Sequence, residues 1–396
     1  FSRPRGIKLA MGDEWDPFAD PAETAPDASK QEAAGHATGQ GASKGARSWD
    51  PDRELLEDFQ AGRLEPLIEE YHQLLRSMPD GPQGSDGAPR PSGAPTPFGP
   101  RYVPVDASDG RARLVLYGDS ITHASPVCLS APFCAAVAQR NARDVLVENA
   151  GWGGLMALMM PSPGSFSTGF GPLPLPRAED FQCEYLCILI GTNDVMSMCA
   201  PEVWTDLFKS TKAQEQPGQG GPPKLPEDWR TSCCPSPELF ERCLRDFVAS
   251  IRATSGARVA IATPPALGEV LEDACADRRM RRSPHAALDE LAAAVRRVAR
   301  DQDCDVLPLL ECMRARLGTM QAAGRPALAW TPASFGALMA RALADPRVRQ
   351  APLEELGAEE ESARPALCFD LVHFNEAGGA IYAALVQKWL DHQLEG

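Results

Sequence analysis

From Arg113 onward, short apolar runs alternate with helix-length amphipathic segments. This alternation restricts the chain to an α/β fold of parallel strands joined by helical crossovers. The runs of strand length are Leu114 to Tyr117, Val145 to Glu148, Tyr185 to Ile190, Arg258 to Ala262 and Asp305 to Leu309. The third is apolar at nearly every position, as a strand covered on both faces must be. Helical spacing runs over Val127 to Ala142, Ser283 to Arg300 and Glu376 to Leu390. It also runs over Pro237 to Thr254, where Leu239, Phe240, Leu244, Phe247, Val248 and Ile251 share one face. Together these elements make one domain over residues 111–396, interrupted near 200–236 and near 311–367. The first interruption is rich in Gly and Pro and reads as an irregular loop, whereas the second mixes helical stretches with Trp330 and Phe335. Both follow strands directly, so a lid over the strand ends and a remote surface elaboration both fit.

Residues 1–110 have a different character. Ala, Gly, Pro, Asp, Glu and Ser dominate, and such a stretch buries too little apolar surface to offset the entropy of ordering. It reads as a largely disordered acidic extension. Within it, Leu64, Leu67, Ile68, Tyr71, Leu74, Leu75 and Met78 recur at helical spacing, with Pro66 suited to a first turn. An amphipathic helix near 64–78 is therefore expected, either packed on the domain or offered to a protein partner.

The formal charge of −15 argues against nucleic acid, which needs clustered Lys and Arg. No apolar run approaches the roughly 18 residues of a transmembrane segment. The 12 cysteines are irregularly spaced, and those at Cys183, Cys187, Cys304 and Cys368 lie in apolar segments and read as reduced core thiols. The Cys233-Cys234 pair lacks the spacing and the histidine of a zinc site, so no metal or cofactor is expected. Reduced thiols and the lack of any Asn-x-Ser/Thr acceptor point to the cytoplasm. The chain begins with Phe1 rather than Met, which leaves a targeting segment upstream open.

The chemistry gathers at strand ends. Gly118-Asp119-Ser120 follows strand one, Asn149-Ala-Gly-Trp-Gly-Gly154 strand two, Gly191-Thr-Asn-Asp194 strand three, and Asp370-Leu-Val-His373 precedes the last helix. Only four asparagines occur in the chain, and three of them, Asn149, Asn193 and Asn375, lie in or beside these motifs. Scarcity of Asn elsewhere suggests that amide donors are wanted there. A serine hydroxyl becomes nucleophilic when a base takes its proton, and His373 is the candidate base. Asp370, three residues earlier, can hold the imidazole in the right tautomer. The Ser120 N–H, the Gly154 N–H and the Asn193 side-chain amide can supply an oxyanion hole, each donor worth on the order of 10²- to 10³-fold in rate. Taken singly, each motif also reads as an ordinary turn or cap. Four in one order, each at a strand end or loop, point to a catalytic serine.

These blocks, GDSIT with Ser120, NAGWGG with Gly154, GTND with Asn193 and DLVH with Asp370 and His373, resemble in order those of the SGNH hydrolases, the GDSL-type esterases and lipases. The resemblance covers roughly residues 112–394. It implies a three-layer α/β/α sandwich around a flavodoxin-like parallel sheet of about five strands, with Ser120 as nucleophile, His373 as base and Asp370 as its partner. It implies an ester substrate of small-molecule size, whether an acyl ester, a lipid or an acetylated carbohydrate. An acyltransferase or thioesterase on the same site, or a non-catalytic scaffold keeping the fold, are the alternatives. His123 is outside the family pattern and is read as a surface or pocket-rim residue, and Asp119 as a residue that holds its loop.

Overall fold

The computed structural model describes residues 49–78, 110–124, 130–160, 180–201, 235–271, 280–344 and 365–395. The sheet is built from β1 (Ala112–Gly118), β2 (Val145–Gly151), β3 (Tyr185–Leu189), β4 (Arg258–Ala262) and β5 (Asp305–Leu307), in the order β2-β1-β3-β4-β5. All four strand pairings are parallel. The apolar run of β3 explains its central place, since Leu186, Cys187, Ile188 and Leu189 are all buried between two helical layers.

The helices are α1 (Pro51–Gln60), α2 (Glu65–Ser77), α3 (Ser120–His123), α4 (Phe133–Arg140), α5 (Thr192–Cys199), α6 (Pro237–Thr254), α7 (Pro284–Asp301), α8 (Leu309–Ala322), α9 (Pro332–Ala344) and α10 (Glu376–Glu395). Contacts sort most of them into two groups, α5, α6 and α7 in one and α4, α8 and α10 in the other, with α1 and α2 added beside the second. The result is a three-layer α/β/α sandwich with a flavodoxin-like strand order.

Register decides where chemistry can occur. Gly118 pairs with Gly151 on one side and with Leu189 on the other, so β1, β2 and β3 end level. The chain leaves β1 for β2 on one side and then crosses to β3 on the other. Ligands of open α/β sheets bind at such a reversal, outside the carboxyl ends of the strands.

Several boundaries differ from the sequence reading. Strand five is shorter because Pro308 opens α8, whose Leu309, Leu310, Cys312, Met313 and Leu317 are buried in the core. Residues 311–322 are thus part of the sandwich rather than the start of an insertion. Short helices α3 and α5, which the sequence reading did not place, begin directly at strand ends. Ahead of α2 stands α1, and both are folded onto the domain: Leu55, Phe59, Ile68, Tyr71 and Leu75 are buried in the common core. Tyr71 Oη donates to Gln387 Oε1 of α10 at 2.6 Å, and Arg316 of α8 pairs with Glu65 at 2.6 Å. Residues 1–48 and 79–109, most of the 200–236 segment with Cys233 and Cys234, and 345–364 lie outside the described residues. Cys183, Cys187, Cys304 and Cys368 carry free thiols. Among the described residues, no helix is long and apolar enough to cross a membrane.

Candidate active site

The serine is delivered by a turn that only glycine permits. A Cβ on Gly118 would stand 2.3 Å from both Leu189 O and Thr122 Oγ1, so the chain can pass between β3 and α3 only without a side chain. Asp119 then caps α3, its Oδ1 accepting the Ile121 N–H at 2.9 Å. Asn149 braces the same short helix from the side. Its Nδ2 donates to Thr122 O at 2.8 Å while its Oδ1 accepts the Gly151 N–H at 2.9 Å. A Cβ on Gly151 would fall 2.2 Å from His123 N, which accounts for a second glycine at this approach.

The histidine segment comes from the far end of the chain. Cys368 and Phe374 form an isolated antiparallel bridge, closed by Phe369 N–H donating to His373 O at 2.7 Å. Between them, Leu371 sits in the left-handed region at φ 73°. Such a conformation is costly for leucine and persists when surrounding bonds fix it. Here Asp370 Oδ1 accepts the N–H groups of Val372 at 3.0 Å and His373 at 2.8 Å, and Gly268 N–H donates to Leu371 O at 3.0 Å. Asn375 caps α10 through Ala377 N–H, at 2.9 Å, and Gly378 N–H, at 3.1 Å.

These two constructions bring the expected residues together. Ser120 Oγ lies 2.9 Å from His373 Nε2, and His373 Nδ1 lies 2.7 Å from Asp370 Oδ2. Asp370 is fully buried, whereas Ser120 keeps 9% of its surface exposed. Burial opposes charge on the His373 imidazole, but the Asp370 carboxylate, by charge and by hydrogen bond, and Asp119 more weakly, hold its pKa above the ordinary value.

The third side is the loop after β2. Asn193, the second residue of α5, donates through Nδ2 to Leu155 O at 2.9 Å, with Asp119 Oδ2 at a longer 3.4 Å. Asp194 beside it accepts the Ala157 N–H through both oxygens, each at 3.2 Å. The loop carrying Gly154 is therefore tied to α5 by consecutive side chains. Burial raises the Asp194 carboxyl to about 7 and that of Asp119 to about 6. Gly154 itself is half-buried in the turn between β2 and Leu155.

One side chain, Asn149, stands differently from the reading of the sequence: it is a brace rather than a donor into the crevice. His123 is half-buried under the β2 end, and burial lowers its pKa to about 4, so it is neutral near pH 7. No group of three or more His, Cys, Asp or Glu side chains that could hold a metal occurs among the described residues.

Sequence reasoning passed over Glu269 altogether. Buried in the loop after β4, it accepts the N–H groups of Ala366 and, at 3.2 Å, Leu328. The only sequence signal was an acidic residue next to a glycine after an apolar strand.

The model of the GDSL-like lipase/acylhydrolase family matches residues 116–381, a span that includes every block above. The chain belongs to this family. It is accordingly an ester-bond hydrolase of the acylhydrolase class. Among solved structures, it is similar to the acetyl xylan esterase AlAXEase, at 15% identity over 70% of this chain and 99% of that one, with a TM-score of 0.36. It is also similar to the lipase/acylhydrolase from Enterococcus faecalis, at 16% identity over 71% and 96%, with a TM-score of 0.34. For the acetylxylan esterase Axe2 from Geobacillus stearothermophilus the figures are 13%, 70%, 93% and 0.36. No curated protein matches the chain.

Proposed function

We propose that Ser120, His373 and Asp370 are the nucleophile, proton carrier and orienting carboxylate of a serine esterase that cleaves a carboxylic ester through an acyl-enzyme. The observation that carries this reading is the unbroken relay from Ser120 Oγ through the imidazole to Asp370, with steps of 2.9 and 2.7 Å. Both are within hydrogen-bond reach for proton transfer. As Oγ attacks the carbonyl carbon, its proton passes to His373 Nε2, and Asp370 supports the imidazolium that forms. Collapse of the tetrahedral adduct breaks the carbon–oxygen bond to the departing alcohol, which takes that proton. Water then attacks the acyl-enzyme by the same route and releases the acid and Ser120.

The oxyanion of each adduct meets the Ser120 N–H, the Gly154 N–H and the Asn193 amide in this reading. Asn193 Nδ2 carries two hydrogens, and Leu155 O takes one at 2.9 Å. That bond, with the longer 3.4 Å contact to Asp119 Oδ2, fixes the amide plane beside Ser120. The substrate is a small ester, whether an acyl ester, a lipid or an acetylated carbohydrate. A fluorophosphonate probe tests the assignment. Wild-type protein should label and Ser120→Ala should not, whereas a folded wild-type protein that never labels would refute it. Hydrolysis across acyl chain lengths and leaving alcohols then separates the substrate classes.

A further inference from the structure

The reaction centre has an aromatic neighbour that no catalytic block encodes. Phe335 of α9 places its ring 6.3 Å, centroid to centroid, from the imidazole of His373, tilted by 36°. It is half-buried and, like Leu338 one turn on, packed against the core. Its position is fixed from below. Thr331 Oγ1 accepts the Ser334 N–H at 3.0 Å, and Ser334 Oγ donates to Ala329 O at 3.0 Å, so the first turn of α9 is closed just ahead of Phe335.

The segment leading into α9 is held by Glu269. Its N–H donates to Leu328 O at 2.7 Å, its Oε2 accepts the Leu328 N–H at 3.2 Å, and its carbonyl accepts from Gln321 Nε2 at 2.5 Å. The other carboxylate oxygen accepts the N–H of Ala366, four residues before Asp370. One buried carboxylate thus clasps the segment leading to Phe335 and the segment leading to the Asp-His turn. Next to it, Trp330 packs its backbone on Gly268, whose N–H donates to Leu371 O. The spacing between Phe335 and His373 is therefore a built distance.

Geometry of proton transfer gives the ring a side. His373 Nε2 must hand its proton to the departing oxygen, so that oxygen lies within about 3 Å of Nε2 in the transition state. The alcohol attached to it extends on the His373 side of the scissile carbon. The acyl chain, bonded to the carbon rather than to that oxygen, extends elsewhere. We propose that Phe335 is a specificity-determining residue that walls the leaving-group side, selecting esters whose departing alcohol has a flat apolar face, and that Glu269 is the positioning residue holding this wall. The inference rests on the proposed roles of Ser120 and His373.

The test crosses two substrate series on the full-length protein: acetate esters of ethanol, cyclohexanol, phenol and 2-naphthol, and 2-naphthyl esters of acyl chains from two to twelve carbons. Phe335→Ala is expected to lower the naphthyl-over-ethyl ratio in kcat/KM by about tenfold relative to wild type, mainly through KM, the loss of one aromatic contact. The acyl-length profile should not change. Phe335→Tyr, which keeps the ring, should hold the wild-type ratio. Glu269→Gln, which keeps the shape but loses one acceptor oxygen, should move the ratio in the same direction as Phe335→Ala by a smaller factor. An unchanged leaving-group ratio in Phe335→Ala overturns the proposal, and so does a change confined to the acyl series. A shift in Phe335→Ala with none in Glu269→Gln overturns the positioning role. Wild-type protein that hydrolyses no ester and takes no fluorophosphonate overturns the serine-esterase reading and this inference with it. If wild type labels and hydrolyses while Phe335→Ala matches it, only this inference fails.

Discussion

The floor of the crevice and the wall beside it are assembled in opposite ways. The floor consists of strand-end turns closed by their own side chains: Asp119 on Ile121, Asn149 on Gly151, and Asp370 on Val372 and His373. Each bond spans two or three residues, so most of the geometry forms as soon as the sheet does. The wall depends on Glu269 joining Leu328, 59 residues away, to Ala366, 97 residues away. Chemistry placed on local turns depends little on distant loops, whereas the wall hangs on one distant carboxylate that also grips the segment before Asp370.

The sharpest way to break the floor is Asp370→Asn. The amide keeps one oxygen for the N–H groups of Val372 and His373, so the turn should hold. What it loses is the acceptor for His373 Nδ1, which now faces an NH₂ donor. The imidazole must change tautomer or turn, and Nε2 no longer accepts the Ser120 proton. A fall in kcat on the order of 10⁴-fold is expected with the melting temperature little changed. Measured kcat within about tenfold of wild type would separate Asp370 from the proton relay.

That contrast also explains what could be read from the chain. The sheet was legible because strands buried on both faces are continuous apolar runs, as in Leu186 to Leu189, and because their alternation with helices makes them parallel, while the flavodoxin-like arrangement came with the family resemblance. The floor was legible because Gly118, Ser120, Asn193, Asp370 and His373 carry their geometry in short motifs. Helices α3 and α5 were not, since a turn and the first turn of a helix share the same caps. Asn149 was read as a donor, but an amide beside a glycine at a strand end serves equally to brace the next backbone. Glu269 was invisible for a different reason. Its partners are two backbone N–H groups, which no residue type announces. Helix α1 was hidden by its polar composition, in which only Pro51, Leu55 and Phe59 are buried, with Leu56 packed at the core's edge.

A second test stays on the floor but reads stability. The Asp194 carboxyl is raised from 3.8 to about 7 by burial. A carboxyl held more protonated in the folded chain than in the unfolded chain adds stability at low pH. That contribution is full below about 3.8 and is lost as pH rises through about 7. Asp119, raised to about 6, and His373, held above its ordinary 6.5, act with the same sign. Asp194→Asn keeps an oxygen for the Ala157 N–H and removes one of these groups from titration. Thermal unfolding between pH 4 and pH 8 should show a smaller loss of melting temperature in the variant than in wild type. Parallel curves would mean that Asp194 does not titrate in this window. The same elevation of His373 predicts that kcat/KM falls as pH drops through a value above 6.5, since only the neutral imidazole accepts the serine proton.

The smallest expected effect belongs to a region that is neither floor nor wall. Tyr71 of α2 is fully buried and donates to Gln387 Oε1 at 2.6 Å, while Asn141 and Gln387 exchange two further bonds of 2.7 and 3.0 Å. Tyr71→Phe removes one bond from this group but leaves Gln387 Oε1 with the Asn141 donor, so no acceptor is orphaned. The cost should be about 1 kcal/mol, read from chemical denaturation. Ester kinetics should be unchanged, because Tyr71 bonds to Gln387 of α10 and to Asn141 at the end of α4, away from the turns that hold Ser120 and His373. A variant that loses little stability but changes kcat would show that the floor is set from beneath as well as by its own turns. The distinction between a locally built floor and a remotely held wall would then fail at its stronger end.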